Sequence, residues 1–173
     1  MEALIVIDPQ NDFSPRGAYP ASGYEGALEG IKRAVARARA ADEPVFWIRH
    51  ENAEGKGRFE PRTWGGEFDP SLDDLVGDDR VLTKTVFGAF SGTELGSMLA
   101  QDGVDAVRIV GLLTHMCVST TAREALMRGL TTTIQADGCA SRAIEDPRLG
   151  HVDGAEAHRI ALLHLASMGA NIQ

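Results

Sequence analysis

Cysteine is scarce in this chain of 173 residues: Cys117 and Cys139 are the only two, with no CxxC pair and no framework of matched spacings. That argues against a disulfide scaffold and a thiolate zinc site, and it suits a reducing compartment. Histidine is nearly as sparse, five in all, and only His50 precedes His115. A papain-like Cys/His pair would therefore have to draw on His115 itself or on His151, His158 and His164. Positive charge is in deficit, 17 Lys and Arg against 25 Asp and Glu for a net charge of -8. A nucleic-acid footprint needs a basic face to neutralise phosphates, so that class is excluded. Long apolar runs are missing as well. The first, Ala3 to Ile7, is short and follows Glu2, which fits neither a signal peptide nor a membrane span. Neither GxGxxG after a strand, GxxxxGK[ST] nor GxSxG occurs, so dinucleotide, P-loop and serine-elbow chemistry lack their defining residues. What remains is a cytoplasmic chain, without nucleic-acid or membrane partners, whose partner is a small molecule. With 43% hydrophobic residues it is long enough for one full core and too short for two, so residues 1–173 read as a single domain.

The stretch Val107 to Arg123 carries the most information. Val107, Ile109 and Val110 are β-branched and run into Leu112 and Leu113, the pattern of a strand buried on both faces. Thr114 then reads as an N-cap, and Val118, Ala122, Ala125 and Leu126 recur at helical spacing, which puts Cys117 in the first turn of a helix. Unpaired amides and the positive end of the macrodipole there favour a thiolate, the nucleophilic form, and could hold an oxyanion. Taken alone, Cys117 reads better as a small core residue, the usual role of a single cysteine on a helix beside an apolar strand; the rest of the chain has to overturn that.

Elsewhere apolar runs and amphipathic stretches alternate. Ala3 to Ile7 is a buried strand that stops at Asp8, Pro9, Gln10, Asn11, Asp12 and Phe13; Asp8 is either a turn former or a carboxylate at the ligand-binding end of a strand. Leu28, Ile31, Val35 and Ala38 mark a helix that ends near Ala41, and Val45 to Ile48 a second strand leading to Arg49 and His50. Residues 52–79 lose periodicity yet carry Arg58, Phe59, Arg62, Trp64 and Phe68, which reads as a lid or pocket wall rather than disorder. Val81 to Val86 has period two, placing Lys84 on a buried face with Leu82 and Val86, where it either has a counter-charge or snorkels. Thr131 to Gln135 is a further strand followed by a loop. Ala157, Ile160, Ala161, His164 and Met168 share a stripe of the last helix, so His164 is expected in the core, and residues 170–172 form an edge strand. Cys139 reads as structural. This alternation implies βαβ units and an α/β fold, a three-layer doubly wound sheet of about six mostly parallel strands with helices on both faces.

Parallel strands align their carboxyl ends, so Asp8, Lys84 and Cys117 can converge if their strands are neighbours, giving a base, a cation and a thiol suited to acyl transfer. At these residues the chain resembles the isochorismatase-like cysteine hydrolases, a family that includes nicotinamidases, N-carbamoylsarcosine amidases and ureidoacrylate amidohydrolases. The resemblance rests on LIVIDPQNDF (Leu4 to Phe13), TKTVFGAFSGT (Thr83 to Thr93), GLLTHMCVSTTAR (Gly111 to Arg123) and the late helix with His158. It implies a catalytic triad of Asp8, Lys84 and Cys117, a cis peptide at Leu112–Leu113, an oxyanion hole of the Leu113 and Cys117 amides, and a homo-oligomer, dimer or tetramer. Nicotinamidases of that family carry a metal on an Asp-x-His segment after the second strand plus later histidines. Here that region reads Arg49, His50, Glu51, Asn52, so no metal and no cofactor are expected, and nicotinamide is not the expected substrate. The reading is a metal-independent cysteine hydrolase that cleaves a small amide-type C–N bond through a thioester. Phe13, Trp64 and His115 are the candidates for substrate binding. The alternatives are a vinyl-ether hydrolase with Asp8 as acid, or a non-catalytic binding member of the family.

Overall fold

A computed structural model describes all 173 residues. Its centre is β1 (Glu2–Ile7), whose residues from Ala3 to Ile7 are wholly buried. The alternation along this strand builds two cores, because successive side chains point to opposite faces. Ala3, Ile5 and Ile7 enter one apolar cluster and Leu4 and Val6 the other. The second cluster is closed by α1 (Tyr24–Ala40), which lays Leu28, Ile31, Val35 and Ala38 on the sheet. The first is closed by α3 (Leu95–Gln101), α4 (Ser119–Met127) and α5 (Gly154–Ser167), through Leu95, Leu99, Ala122, Ala125 and Leu165.

With β2 (Val45–His50), β3 (Arg80–Lys84), β4 (Ala106–Leu112), β5 (Thr131–Ala140) and β8 (Asn171–Ile172), the main sheet has six parallel strands in the order β3-β2-β1-β4-β5-β8. The sheet grows from β1 toward one edge through β2 and β3 and then restarts on the other side of β1 with β4. The point where the winding reverses lies between β1 and β4, and a doubly wound sheet leaves its ligand crevice there, outside the carboxyl ends of the strands. Gly111 lets β4 come close enough: its φ is 125° and a Cβ would stand 2.0 Å from the Ile7 carbonyl oxygen.

Several local expectations change. β3 is an edge strand that ends at Lys84, and Val81 and Val86 are exposed, so the period-two pattern does not mark a buried face; Lys84 alone is sealed, by what its long stem reaches. β3 also does not adjoin β1, since β2 lies between them. β5 continues to Ala140 past a bulge opposite β4, and the loop after it contains an antiparallel hairpin, β6 (Ile144–Asp146) and β7 (Gly150–Val152). Within residues 52–79, a short 3-10 turn (Pro70–Leu72) leads into α2 (Asp73–Val76), and Phe59, Phe68 and Leu72 are buried in the core beside α1. His164 is exposed, because α5 turns Leu165 inward instead.

Candidate functional site

The polar cluster after β1 is consumed by the backbone of the long loop. Gln10 accepts from His50 N at 2.9 Å and donates to the carbonyls of His50 and Gly66 at 2.9 and 2.7 Å. Asn11 donates to the carbonyls of Trp64 and Phe68 at 2.8 and 3.1 Å. Asp12, buried, accepts from Phe59 N at 2.5 Å and Ala18 N at 3.1 Å. These side chains satisfy buried loop amides and carbonyls that would otherwise cost free energy unpaired, and they bind the loop to the ends of β1 and β2. Asp8 is spared that task and turns into the crevice at φ 48°.

On the other side of the reversal point, the peptide between Leu112 and Leu113 is cis, and residues Thr114–Val118 form one π-helical turn before α4. The cap residue is Leu113, not Thr114, whose hydroxyl pairs instead with His158 Nδ1 at 2.8 Å and ties α5 to this turn. The turn delivers Cys117, 6% exposed, against the same crevice.

Lys84 crosses from β3 past the end of β2 to close the group. Its Nζ lies 2.7 Å from Asp8 Oδ2, 3.3 Å from Cys117 Sγ and 3.3 Å from His50 Nδ1. Asp8 is 0% and Lys84 1% exposed, so the two charges neutralise each other out of contact with water. Burial pushes the Lys84 ammonium down, but the Asp8 carboxylate and the Cys117 sulfur beside it more than offset that and hold it above the ordinary lysine range. His50 is pushed below its ordinary value by burial and then by the Lys84 charge. A neutral ring with Nδ1 accepting from Lys84 and Nε2 donating to Asn52 Oδ1, 3.1 Å away, satisfies both contacts. His50 as a support for Lys84 was not legible in the sequence; the register that sets it opposite Lys84 is a tertiary fact.

The thiol reverses an expectation. Burial first, and the Asp8 charge next, push Cys117 well above the ordinary thiol range, and Lys84 offsets only part of it. Cys117 therefore rests as a thiol beside a carboxylate whose Oδ1 is buried with no hydrogen-bond partner. Such a pair can move a proton from sulfur to oxygen without changing the net charge of the site.

Asp8 and Cys117 floor a cavity of about 320 Å³ walled by Phe13, Tyr19, His50, Asn52, Arg58, Phe59, Val86, Phe87, Leu113 and Met116; Lys84 is buried and does not line it. Phe13 faces the cavity. Trp64 and His115 do not line it: Trp64 is 51% exposed with Arg16 over its ring, and His115 Nδ1 is 2.9 Å from Ser141 Oγ on the far side of Met116, in a separate depression. Tyr19, Phe59 and Phe87 take the places expected of them. No set of three or more His, Cys, Asp or Glu side chains is grouped so as to hold a metal ion. The one imidazole near the crevice already faces an ammonium, so the residues present do not fit a metal. No helix is long and apolar enough to cross a membrane.

A thiol, a carboxylate and an ammonium meet at the reversal point of a doubly wound sheet, which gives this α/β chain a nucleophile, a base and a cation in one crevice. Comparison with known proteins names the group: the isochorismatase domain model matches residues 2–173, and the chain belongs to the isochorismatase family of hydrolases. It is similar to the secreted isochorismatase effector Isc1 of Verticillium dahliae, 30% identical over 165 residues that cover 95% of this chain and 83% of that protein. It is also similar to the nicotinamidase/pyrazinamidase of Mycobacterium tuberculosis, 32% identical over 159 residues, covering 79% of this chain and 85% of the other. The crystal structure of an isochorismatase from Pseudomonas putida KT2440 superimposes with a TM-score of 0.91 at 30% identity, covering 99% of this chain and 86% of that one.

Proposed function

We propose that this family member is a metal-independent cysteine hydrolase that cleaves a small amide-type C–N bond through a thioester on Cys117. The observation that carries the reading is the position of Lys84 Nζ, within hydrogen-bond reach of both Asp8 Oδ2 and Cys117 Sγ, the two residues at the floor of one cavity. Asp8 takes the Cys117 proton on its free Oδ1 as sulfur attacks the substrate carbonyl carbon. Lys84, held charged, stabilises the carboxylate before transfer and the sulfur as its negative charge builds. The oxyanion falls to the amides of Leu113 and Cys117, both residues of the cavity wall; the Leu113 N–H enters none of the loop and turn hydrogen bonds of the chain. Asp8 then returns the proton to the departing nitrogen, the C–N bond breaks and the thioester remains. Water, deprotonated by Asp8, attacks the acyl carbon; the C–S bond breaks and the sulfur regains a proton. Similarity to a nicotinamidase/pyrazinamidase supports an amide as the class of bond.

A vinyl-ether hydrolase with Asp8 as proton donor is the second reading, favoured by the unpartnered Oδ1. A screen of small amides with acid trapping and intact-mass analysis separates the two. The amidase reading expects an acyl adduct on Cys117 and, in Cys117→Ala, a loss of turnover of at least about a thousandfold with the fold retained. Turnover that survives in Cys117→Ala, with no adduct at any time, sinks it.

A further inference from the structure

We infer that Glu124 is a positioning residue: through the backbone of residues 88–91 it holds Thr85, Val86 and Phe87, one wall of the cavity, in place beside Cys117. This rests on the hydrolase reading only in taking the cavity as the substrate's. Glu124 is 7% exposed and has no part in the chemistry above. It forms no ion pair; Arg128, one turn further along α4, donates to the Glu124 backbone carbonyl at 3.1 Å and stacks 4.6 Å from the centre of the Phe90 ring. A carboxylate is costly to bury unless hydrogen bonds compensate it, so its partners show where it acts. The two oxygens accept from Phe90 N at 3.0 Å and from the Ser91 hydroxyl. Beside them, Thr121 Oγ1 accepts from Ala89 N at 3.1 Å.

Cys117, Thr121 and Glu124 follow one another at helical spacing, so they share the face of the segment that delivers the nucleophile. That face meets a single stretch of chain in order: Lys84 at the sulfur, Ala89 at Thr121, then Phe90 and Ser91 at Glu124. The stretch needs such an anchor, because β3 is an edge strand that pairs only with β2 and ends at Lys84. Beyond it Thr85, Val86 and Phe87 run exposed, Val86 by 48% and Phe87 by 52%, yet all three line the cavity. They span the gap between two fixed points, Lys84 and residues 88–91. Releasing the second point frees the wall and leaves Lys84, Asp8 and Cys117 where they are. Gly88 shows how close the second point is drawn: a Cβ there would stand 2.3 Å from Glu124 Oε2, so even a methyl group must displace the carboxylate.

The test uses two alkylating agents, with labelling read at Cys117 by mass. Iodoacetamide reports the thiol alone. N-benzyl iodoacetamide must also seat its ring against the wall before it reacts, so its rate saturates with a binding constant KI and a maximal rate kinact. Neither reagent needs turnover. Above the ordinary thiol range, Glu124→Ala should raise KI roughly tenfold, with kinact and the iodoacetamide pH profile unchanged. Gly88→Ala should raise KI in the same way with the carboxylate still present. Ser91→Ala removes one donor at an exposed position, should raise KI by a smaller factor, and decides the matter if the other two do not fold. Glu124→Gln, which keeps an acceptor for Phe90 N and a group that pairs with the Ser91 hydroxyl, should stay within about twofold of the wild type. An unchanged KI in any folded variant of the first three overturns the inference. So does an iodoacetamide profile that shifts along with KI, which would make Glu124 an electrostatic partner of the sulfur. A KI that responds as expected, with no acyl adduct from any amide, would count against the thioester and leave the positioning role standing.

Discussion

Asp8 and Lys84 act on the Cys117 thiol with opposite signs, and substitution can separate them. Asp8 raises the thiol and Lys84 lowers it, each through charge proximity. Lys84→Met should therefore slow iodoacetamide alkylation of Cys117 at neutral pH. Asp8→Asn should speed it while abolishing hydrolysis, because it removes the base as well as the negative charge. In the wild type the rate should climb only above pH ~8.5, the ordinary thiol value. Superimposable profiles for the wild type and Lys84→Met would reduce the lysine to a buried counter-ion. His50 adds a second pH effect. Its value is depressed, so the stability it contributes is present above about 6.5 and lost as pH falls through the depressed value. Protonation would set a second cation against Lys84 and withdraw the acceptor at Nδ1. His115 and His158 are also depressed by burial, and His115 further by Arg142. Denaturation at pH 5 to 7 should accordingly show about one proton fewer taken up on unfolding in His50→Gln, with the slope from the other two retained. An unchanged slope would mean that His50 does not titrate with folding.

At the level of elements, the loop over residues 52–79 behaves as a wall because buried side chains from the segment after β1 hold its backbone. Asp12→Ala removes the acceptor of Phe59 N and Ala18 N, leaving the buried Phe59 amide unpaired. A loss of about 1–3 kcal/mol in stability is expected, with faster amide exchange confined to the loop. If Phe59 and Arg58 shape the cavity, KM should rise more than kcat falls. Uniform exchange across the sheet would instead indicate a general destabilisation. This division of labour explains what could be read in advance. Short continuous apolar runs betray strands buried on both faces, so β1, β2 and β4 and the residues at their ends were legible from Ala3 to Asp8, Val45 to His50 and Val107 to Cys117. β3 reads as buried in the sequence because alternation cannot tell an edge strand from an inner one. The π turn at Thr114–Val118 and the hairpin of β6 and β7 have no period to detect. Trp64 and His115 are candidates by residue type alone, and type says nothing about which side of a loop or turn faces the cavity.

Across the whole molecule, the order of strands converts three separated residues into one site, and that order is not written in any local pattern. Asp8 and Cys117 flank the reversal point, whereas Lys84 stands two strands from Asp8 and needs its full length to arrive. The same arrangement bears on metals. A dication seated in this crevice would need His50 and Asp8 as donors, and the Lys84 ammonium already occupies both, at 3.3 Å from the imidazole nitrogen and 2.7 Å from the carboxylate oxygen. Displacing it would leave an unpaired ammonium buried beside a double positive charge, which costs several kcal/mol. Carboxylates elsewhere do not gather in threes with histidine or cysteine. Dialysis against a strong chelator should therefore leave both the melting temperature and the turnover of the best amide from the screen unchanged, and elemental analysis should find well under one zinc or iron per chain. Activity lost to the chelator and restored by one metal ion per chain would require Lys84 to swing out of the crevice, and the mechanism built on its contact with Asp8 would fail with it.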